Sequence, residues 1–523
     1  MKRIIAAITA ASIMGCGFSC SEKKESRPDS STAPESSISV TVPDVTVSGT
    51  SSDEETGGTQ VQKFTEYKED DFSTIEVSCN VMNGEPPLTM NTKNMEDFGL
   101  GKRIPSCKDE KYRDLYKPYT DKDLEDYDEI EEAWENSFTE PLQGMLQDAF
   151  IDGNTIYAVI NYDMLCTGSH ELSVFRINEA ENEVSEIFRH SDPENSLSIR
   201  GVYAVNGEVY VITSEDAYSS EKEICRIDEE KGELVPMLKD DTGSHSGKNI
   251  IEILGINADR LIVEFTEEDT KPVDSDYKPK NNEVMETLDT GENVLHMGDT
   301  YSLAEYDPGT KQWKELYSAY ESMNGDDDVV GTKEFPLFCG ELFAWKEKPE
   351  RTRKYDVVTE KYRVSTGLTN CEVVYASEDR LVVSAGSSKY SSGMLYNGTQ
   401  SFDSKVLHVF DLKKKEHYIL DYTSLGSGIC MFSDGSLIVT SDTFSDKAFY
   451  KTYYVRPENG LAFQLKETSF DSDFTSICMY KAEKNSLLCF TSYMKSKDGD
   501  IDKIDLKALT SVLIWYTKEE KDE

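Results

Sequence analysis

The residue types that carry most enzyme chemistry are sparse and poorly spaced in this sequence. The histidines include no pair at the spacing of a helical zinc motif; they are His170, His190, His245, His296, His408 and His417. Gly243-Ser244-His245-Ser246-Gly247 has the outline of a nucleophile elbow, but histidine stands where the serine is needed. The sequence therefore names no catalytic residue. It leaves enzyme activity uncertain and favours binding without catalysis.

Acidic runs raise the question of a cation site. The run from Asp498 to Asp505 partly matches the second half of a calcium-binding loop. If Gly499 is the loop glycine, a ligand position falls on Met494, whose thioether is a poor ligand for a hard cation. We therefore interpret the run as a solvated turn, and we predict no metal site and no cofactor.

Two segments have residue types suited to binding. The first, 386–404, mixes Tyr390 and Tyr396 with serine, glycine and asparagine, a mixture typical of adaptable recognition loops and also of ordinary exposed loops. The second is a dense basic patch that could dock an acidic partner or a wall polymer, or be only a solvated hairpin tip; it comprises Lys346, Lys348, Arg351, Arg353 and Lys354.

Composition limits the classes of partner. The chain has 523 residues, a hydrophobic content of 37%, 28 tyrosines, 21 phenylalanines and a formal net charge of -44. This acidity argues against nucleic acid as a partner, because phosphates require lysine and arginine. The aromatic content favours a strand-rich, all-β fold.

A hairpin pattern recurs from about residue 149 onward. A tight polar turn such as Asn206-Gly207 or Asp434-Gly435 precedes each strongly apolar strand, and such turns supply the positive φ that short hairpins need. The apolar strands begin near Ile156, Val209, Leu261, Leu342, Leu381, Leu437 and Leu487. A second hairpin follows most of them, as in Ile227-Asp228 with Leu234. The match is poorer after Phe410-Asp411, because His417 occupies the apolar position and Tyr418 takes that role.

Four strands per unit, repeated at about 40 to 55 residues, resemble a β-propeller. We predict seven four-stranded blades over 149–520, with six or eight blades and a pair of β-sandwiches as alternatives. The last unit, ending at Val512–Tyr516, lacks a fourth strand. We expect Thr74–Ser78, within a segment 73–148, to supply this strand and close the ring.

Other features are assigned within this frame. We expect a short helix over 121–138, an acidic insertion at 267–300, and a surface run at Asp326–Asp328. Cysteines at the start of three successive first strands, where they would line the central channel, are expected to be buried free thiols: Cys371, Cys430 and Cys478. Cys79 and Cys107 are the one pair considered for a disulfide.

The N-terminus has the features of an export signal. Lys2 and Arg3 precede a short apolar stretch that ends in Ile13-Met14-Gly15-Cys16. This segment resembles the lipobox of bacterial lipoproteins, which implies that 1–15 is removed and that Cys16 is lipidated. Cys20 is the rival site. Residues 16–72, rich in serine, threonine and acidic residues, are predicted to form a disordered stalk.

These inferences predict a propeller held by its lipid on the extracytoplasmic face of a bacterial membrane. The leading hypothesis is that it binds a protein or a cell-wall glycan. One alternative is a cell-surface glycan hydrolase or lyase with its site at the channel mouth. Another is a scaffold for envelope assembly that works through strand addition or face docking.

Overall fold

Strands make up most of the structure, a computed structural model. It describes residues 39–40, 65–84, 86, 88–94, 100, 144–162, 169–178, 183–192, 194–215, 221–239, 248–257, 259–279, 284–287, 293–322, 335–349, 353–385, 400–401, 406–425, 428–432, 435–440, 452–465, 474–483, 486–497 and 500–518. These residues contain one 3-10 turn, Glu69–Asp71, and no α-helix. None of their helical segments is long and apolar enough to cross a membrane.

Five short strands come first in the chain. They are β1 (Ser39–Val40), β2 (Thr65–Tyr67), β3 (Ser73–Ser78), β4 (Asn80–Met82) and β5 (Leu88–Asn94).

Three four-stranded units follow. Blade 1 comprises β6 (Met145–Asp152), β7 (Thr155–Asn161), β8 (Glu171–Asn178) and β9 (Glu183–Ser191). Blade 2 comprises β10 (Ser198–Val205), β11 (Glu208–Ser214), β12 (Glu223–Asp228) and β13 (Glu233–Lys239). Blade 3 comprises β14 (Lys248–Asn257), β15 (Arg260–Val273), β17 (Asn293–Asp307) and β18 (Gln312–Ser322), with β16 (Val284–Thr287) on β17 and β1 on β18.

Four more units complete the chain. Blade 4 comprises β19 (Leu337–Cys339), β20 (Leu342–Glu347), β21 (Asp356–Thr359) and β22 (Tyr362–Ser365). Blade 5 comprises β23 (Glu372–Ala376), β24 (Arg380–Ser384), β26 (Val406–Asp411) and β27 (Glu416–Asp421). Blade 6 comprises β28 (Gly428–Met431), β29 (Leu437–Thr440), β30 (Thr452–Val455) and β31 (Leu461–Gln464), with β25 (Gln400–Ser401) on β28. Blade 7 comprises β32 (Phe474–Glu483), β33 (Ser486–Lys497), β34 (Asp500–Lys518) and β5.

The seven sheets form a β-propeller, which confirms the predicted fold. First strands of neighbouring blades contact each other, as β6 does with β10 and β19 with β23, and β32 of the last blade contacts β6 of the first. The first strands therefore surround the ring axis and the fourth strands lie at the rim. The apolar clusters join neighbouring blades, as a propeller requires. Val159 and Val202 share the cluster between blades 1 and 2, and Val409 and Val439 share the one between blades 5 and 6.

The ring closes with a different strand from the predicted one. The fourth strand of blade 7 is β5, which pairs antiparallel with β34, so that Trp515 faces Asn91. Thr74–Ser78 instead pairs parallel with β27 of blade 5, where Val77 packs into the interface with blade 6. An N-terminal strand closes the ring as expected, but the prediction of Thr74–Ser78 was wrong.

Residues 65–94, here called the rim segment, run along the outer edges of blades 4 to 7. Strands β2, β3 and β4 add a fifth strand, in parallel, to blades 4, 5 and 6. Each strand of a sheet is rotated by roughly 20 to 25° relative to its neighbour, so the fourth strand of a blade is steeply inclined to the first. One segment of chain can therefore follow the outer edges of successive blades. The predicted stalk to residue 72 therefore extended too far, because Thr65–Tyr67 and Phe72 belong to the ring.

Most of the described residues of the acidic insertion at 267–300 continue the sheet. Strands β15 and β17 extend beyond the other strands of the ring as a paired arm, with Val273 facing Asn293 and β16 alongside. The expected helix at 121–138, the run Asp326–Asp328 and the two lipidation candidates, Cys16 and Cys20, lie outside the described residues.

Candidate functional site

The connections between strands divide the ring into two unequal faces. First strands of neighbouring blades run in the same direction, as the parallel bridge between Gly340 and Ala376 shows. The turns after first and third strands therefore share one face, the short-turn face, with turns such as 153–154, 206–207 and 360–361. The other connections share the long-loop face; they include 162–170, 192–197, 274–292, 323–336, 348–355 and 385–405.

The short-turn face is held by ion pairs. The guanidinium of Arg260 lies 2.6 Å from a carboxylate oxygen of Glu305, and that of Arg176 in blade 1 lies 2.6 Å from Glu229 in blade 2. Lys361 of blade 4 also pairs with Glu378 of blade 5. Short turns and paired charges leave this face little freedom to adapt to a ligand.

Lys346 joins two blades and is not an exposed binding residue. Its side chain is buried, and its Nζ donates to the Cys371 carbonyl oxygen at 2.9 Å and pairs with Glu372 at 3.1 Å. Its aliphatic stem follows the apolar interface while its charge meets polar groups of the next blade. The prediction of Lys346 as part of a surface patch was therefore wrong.

The rest of the basic patch divides between internal and external roles. The Nζ atoms of Lys346 and Lys348 each lie 5.5 Å from the ring centroid of Tyr355, a cation–π geometry. Lys354 pairs with Glu69 of the rim segment at 2.7 Å. Arg353 is exposed and Arg351 lies outside the described residues. Lys348 and Arg353 are the described cations of this patch that face the long-loop side.

The connection between β24 and β26 leaves and re-enters blade 5 on the same face. Tyr390 and Tyr396 lie outside the described residues, but the strands that flank their connection end at Ser384 and begin at Val406, both at the long-loop end of blade 5. The basic connection 348–355 leaves blade 4 on the same face. The topology therefore places the two segments predicted from sequence on neighbouring blades.

A polar network that the sequence analysis missed lies at the long-loop end of blade 1. Glu171 is fully buried, accepts a hydrogen bond from Ser191 Oγ at 2.6 Å and pairs with Arg189 at 2.6 Å. Nearby, Ser169 Oγ donates to Asn161 Oδ1 at 2.6 Å. The signal in the sequence is an acidic residue at the very start of an apolar strand. The network fixes the ends of the loops around it.

A second carboxyl stands inside an apolar strand of blade 3. Glu264 interrupts Leu261–Phe265 and is 8% exposed, and burial raises its pKa to about 7 although the nearby Lys222 acts in the opposite direction. Its register partner on the first strand is Glu252. A carboxyl that changes protonation near neutral pH could donate or accept a proton in a reaction.

Two histidines meet at the outer part of blade 5. His408 Nδ1 and His417 Nε2 lie 2.9 Å apart, and the His417 ring stacks on Phe410 with centroids 4.2 Å apart. Burial lowers the pKa of both, that of His417 to about 4, with a further lowering from His408 and an opposing effect of Glu69. His417 is the residue that broke the repeated apolar pattern, and this pairing explains the exception.

Possible metal ligands do not cluster in the described part of the chain, and the cysteines described there are free thiols. It contains no group of three or more histidine, cysteine, aspartate or glutamate side chains that could hold a metal. Cys371 is a buried free thiol beside the first strand of blade 5, as predicted, whereas the side chains of Cys430 and Cys478 are not described. Cys79 is also a free thiol, so the disulfide considered between it and Cys107 does not form. Burial raises the pKa of Cys79 to about 12.

Comparison with known proteins bears on the fold alone. No protein-family model and no curated protein matches the sequence. An acylaminoacyl peptidase from Pyrococcus horikoshii is similar over 66% of this chain and 49% of its own, with 10% identity and a TM-score of 0.38, so the chain spans about half of that peptidase. Polysaccharide lyase Uly1 is similar over 71% of this chain and 90% of its own, with 7% identity and a TM-score of 0.38. The β-propeller domain of the Trilobed protease from Pyrococcus furiosus is similar over 66% of this chain and 89% of its own, with 11% identity and a TM-score of 0.36.

Proposed function

We propose that this propeller binds a protein or glycan partner on its long-loop face and that lipid on Cys16 holds it at the extracytoplasmic face of a bacterial membrane. The observation that carries the proposal is the inequality of the two faces. Long connections collect on one face, while short turns and ion pairs close the other. Connections that vary in length on a rigid scaffold are where binding residues are usually found.

The chemistry of blades 4 and 5 indicates the kind of partner. Lys348 and Arg353 supply positive charge in an otherwise acidic protein, and the adjacent connection contains Tyr390 and Tyr396. Tyrosine rings can pack on sugar rings or on protein side chains while their hydroxyls form hydrogen bonds. A glycan carrying acidic groups or an acidic protein surface fits this combination.

Binding can be tested with the chain lacking its signal peptide and bearing Cys16→Ser, against purified cell-wall glycans and surface proteins. The double variants Lys348→Ala/Arg353→Ala and Tyr390→Ala/Tyr396→Ala should each weaken binding by about tenfold or more, as loss of central contacts does. Lys231→Ala, on the short-turn face, is the matched control and should leave affinity unchanged. Equal loss in the control, or no loss in either double variant, would exclude this face.

A glycan hydrolase or lyase is the second candidate, and Glu264 is the observation that favours it. Glycan hydrolysis generally uses two carboxyl groups, one of them protonated near neutral pH, and Glu264 with its register partner Glu252 could fill those roles. If the chain cleaves any member of a glycan panel, Glu264→Gln should abolish turnover while leaving binding in place. Binding of a glycan without cleavage would leave the first proposal standing alone.

The anchor can be tested separately. Cys16→Ser should move the full-length chain from the membrane fraction to the soluble fraction, because without acyl chains the protein loses its proposed attachment. Cys20→Ser is the control and should stay with the membrane. The opposite result would identify Cys20 as the lipidated residue, and membrane retention of the double variant would show that the attachment is not lipid on either cysteine.

A further inference from the structure

The outer edge of the rim segment is unusually apolar for a surface that faces solvent. The exposed large apolar side chains of the described residues are Ile75, Val81 and Met82, with exposures of 37, 53 and 40%. All three lie on β3 and β4, which follow each other with only Cys79 between them. Together β3 and β4 form one strip, Ser73–Met82, along the outer edges of blades 5 and 6, in which the adjacent Val81 and Met82 point to opposite faces.

The backbone of this strip has hydrogen-bonding groups that point away from the ring. Ser73 N donates to Lys415 O at 2.9 Å, and Cys79 N donates to Asp421 O at 3.3 Å, so odd-numbered residues of β3 bond inward. In a parallel pair the intervening residues point the other way, which leaves Thr74 and Glu76 directed outward. No described strand pairs with this outer edge. Strand β3 thus offers the template that an added strand needs, whereas in β4 the pattern shifts because Asn80 N donates inward to Gly460 O at 2.8 Å.

The outer edges of blades 1 and 2 are protected. Strand β9 of blade 1 carries Glu183, Glu186 and Arg189, and β13 of blade 2 carries Pro236 in mid-strand. Charges and proline at an edge are common devices that prevent pairing with other chains. Residues 73–82 contain neither proline nor lysine, and Glu76 is their only charged residue. Because β9, β13 and residues 73–82 belong to the same chain, the overall composition of the protein does not explain why only residues 73–82 lack these protective residues.

We propose that Ser73–Ser78 accepts an extended segment of a partner protein as an additional strand, and that this segment alternates apolar residues with lysine or arginine. Strand addition is a recurring mode of peptide recognition in which main-chain bonds provide affinity and alternate side chains provide specificity. An apolar side chain of the partner would pack against the exposed Ile75. Glu76 and Asp421 lie on the other face and fit a cation. The net charge of -44 makes a second copy of this chain a poor occupant.

The test is fluorescence polarisation with the whole chain lacking its signal peptide and bearing Cys16→Ser, using labelled synthetic peptides in extended sequence. A ten-residue peptide alternating lysine with valine should bind; its glutamate–valine counterpart and a version N-methylated at alternate residues should not. Glu76→Pro removes an outward N–H and leaves the inward bonds of its neighbours, and should weaken binding by about tenfold or more. Glu76→Ala keeps the N–H, so it should retain part of the affinity and lose salt dependence.

Several results would overturn this assignment. Equal binding of the lysine peptide to the Glu76→Pro variant would place it elsewhere, provided that circular dichroism shows the variant folded. Equal binding of the glutamate peptide would remove the charge argument. If sedimentation shows a dimer of the parent chain that Glu76→Pro dissociates, the occupant is a second copy and not a basic partner. Loss of peptide binding would leave the long-loop proposal untouched, because the variants that test it lie on the long-loop face and not on the rim.

Discussion

The rims of blades 1 and 2 and those of blades 4 to 7 are built differently. Blades 1 and 2 each end in a strand of their own, β9 or β13, and need no strand from distant parts of the chain. Blades 4, 5 and 6 carry an extra parallel strand from the rim segment, and blade 7 takes its fourth strand from it. Blades 1 and 2 can form from residues that are close in sequence. Blade 7 is complete only when β5, from the N-terminal part of the chain, pairs with β34. One side of the ring is therefore autonomous and the other is tied together by a single strap of chain.

The difference implies that blades 4 to 7 unfold more cooperatively than blades 1 and 2. The rim segment contacts four successive blades, so displacement of any part of it affects more than one blade. Long-range pairing of this kind costs loop-closure entropy and tends to form late in folding. We expect the strapped side to respond to rim substitutions together, and the autonomous side to respond blade by blade.

The largest effect is expected for Phe72→Ala. Phe72 is buried between blades 4 and 5, with its ring centroid 5.2 Å from that of Phe410 and 5.8 Å from that of Tyr67. Removing such a ring should lower the free energy of unfolding by about 3 to 5 kcal/mol, measured by urea denaturation.

The matched control for Phe72→Ala is Phe188→Ala, at a similarly buried position on β9 of blade 1. Both variants should lose stability, but only Phe72→Ala should speed hydrogen exchange along 65–94 and in β34. If both variants accelerate exchange in the same segments, the two sides of the ring are not distinct and the comparison fails.

The next effect isolates the contact between the rim segment and blade 6. Gly460 has φ of +66°, and a Cβ there would lie 2.3 Å from Ser78 O. Gly207 in blade 2 has φ of +79° and open space around its Cα. Both alanine variants are strained by positive φ, but Gly460→Ala should cost roughly 1 to 3 kcal/mol more in unfolding free energy, because the clash displaces β3. Equal losses of unfolding free energy in the two variants would mean that the rim segment moves away from residue 460 without an energetic penalty.

The histidine pair makes the strapped side sensitive to pH. Burial lowers the pKa of His408 and His417 in the folded state, so the unfolded chain binds more protons between about pH 4 and 6.5. The free energy of unfolding is therefore highest above pH 6.5, where both histidines are neutral in both states. It falls by on the order of 1 to 2 kcal/mol as the pH drops toward 4. A His417→Phe variant should flatten that part of the stability–pH curve measured by denaturation. An unchanged slope would show that the histidine pair does not cause the pH dependence of stability.

The smallest effect is expected at the exposed ion pair of Glu69 with Lys354. Their side chains are 57 and 52% exposed, so Glu69→Gln should change the free energy of unfolding by less than about 1 kcal/mol. A variant with reversed charges, Glu69→Lys/Lys354→Glu, should restore any loss. A larger loss would show that this contact, rather than the burial of Phe72, seats the rim segment.

Sequence patterns predicted the repeat because each hairpin is local. Asn206-Gly207 has positive φ at both residues, as its type predicts, and the apolar strand beginning at Val209 lies buried. The closing strand was missed because Leu88–Asn94 has only Leu88 and Met90 as apolar residues, and its partner β34 lies at the opposite end of the chain. No local signal can reveal such a pairing.

The candidate site was predictable to a lesser degree. Charge density indicated a basic patch, but it could not reveal that the Lys346 stem is buried against blade 5. His417 was visible as an exception to the apolar repeat, yet its partner His408 becomes apparent only when the register of β26 and β27 is known. Properties that depend on strand register or on contacts between blades require the fold.

The path of the rim segment has a mechanical consequence. Tension applied at the N-terminal end of the chain would act first on the two-residue β1 on blade 3, then on the short β2. It would next reach the anchored ring of Phe72, and then β3 and β4 in turn. Only after these had given way would the pull reach β5, the strand on which ring closure depends. Each short pairing of the rim segment would break separately and relieve the load on the next. A propeller pulled from its N-terminus would shed its outer strands one at a time before the ring itself was strained.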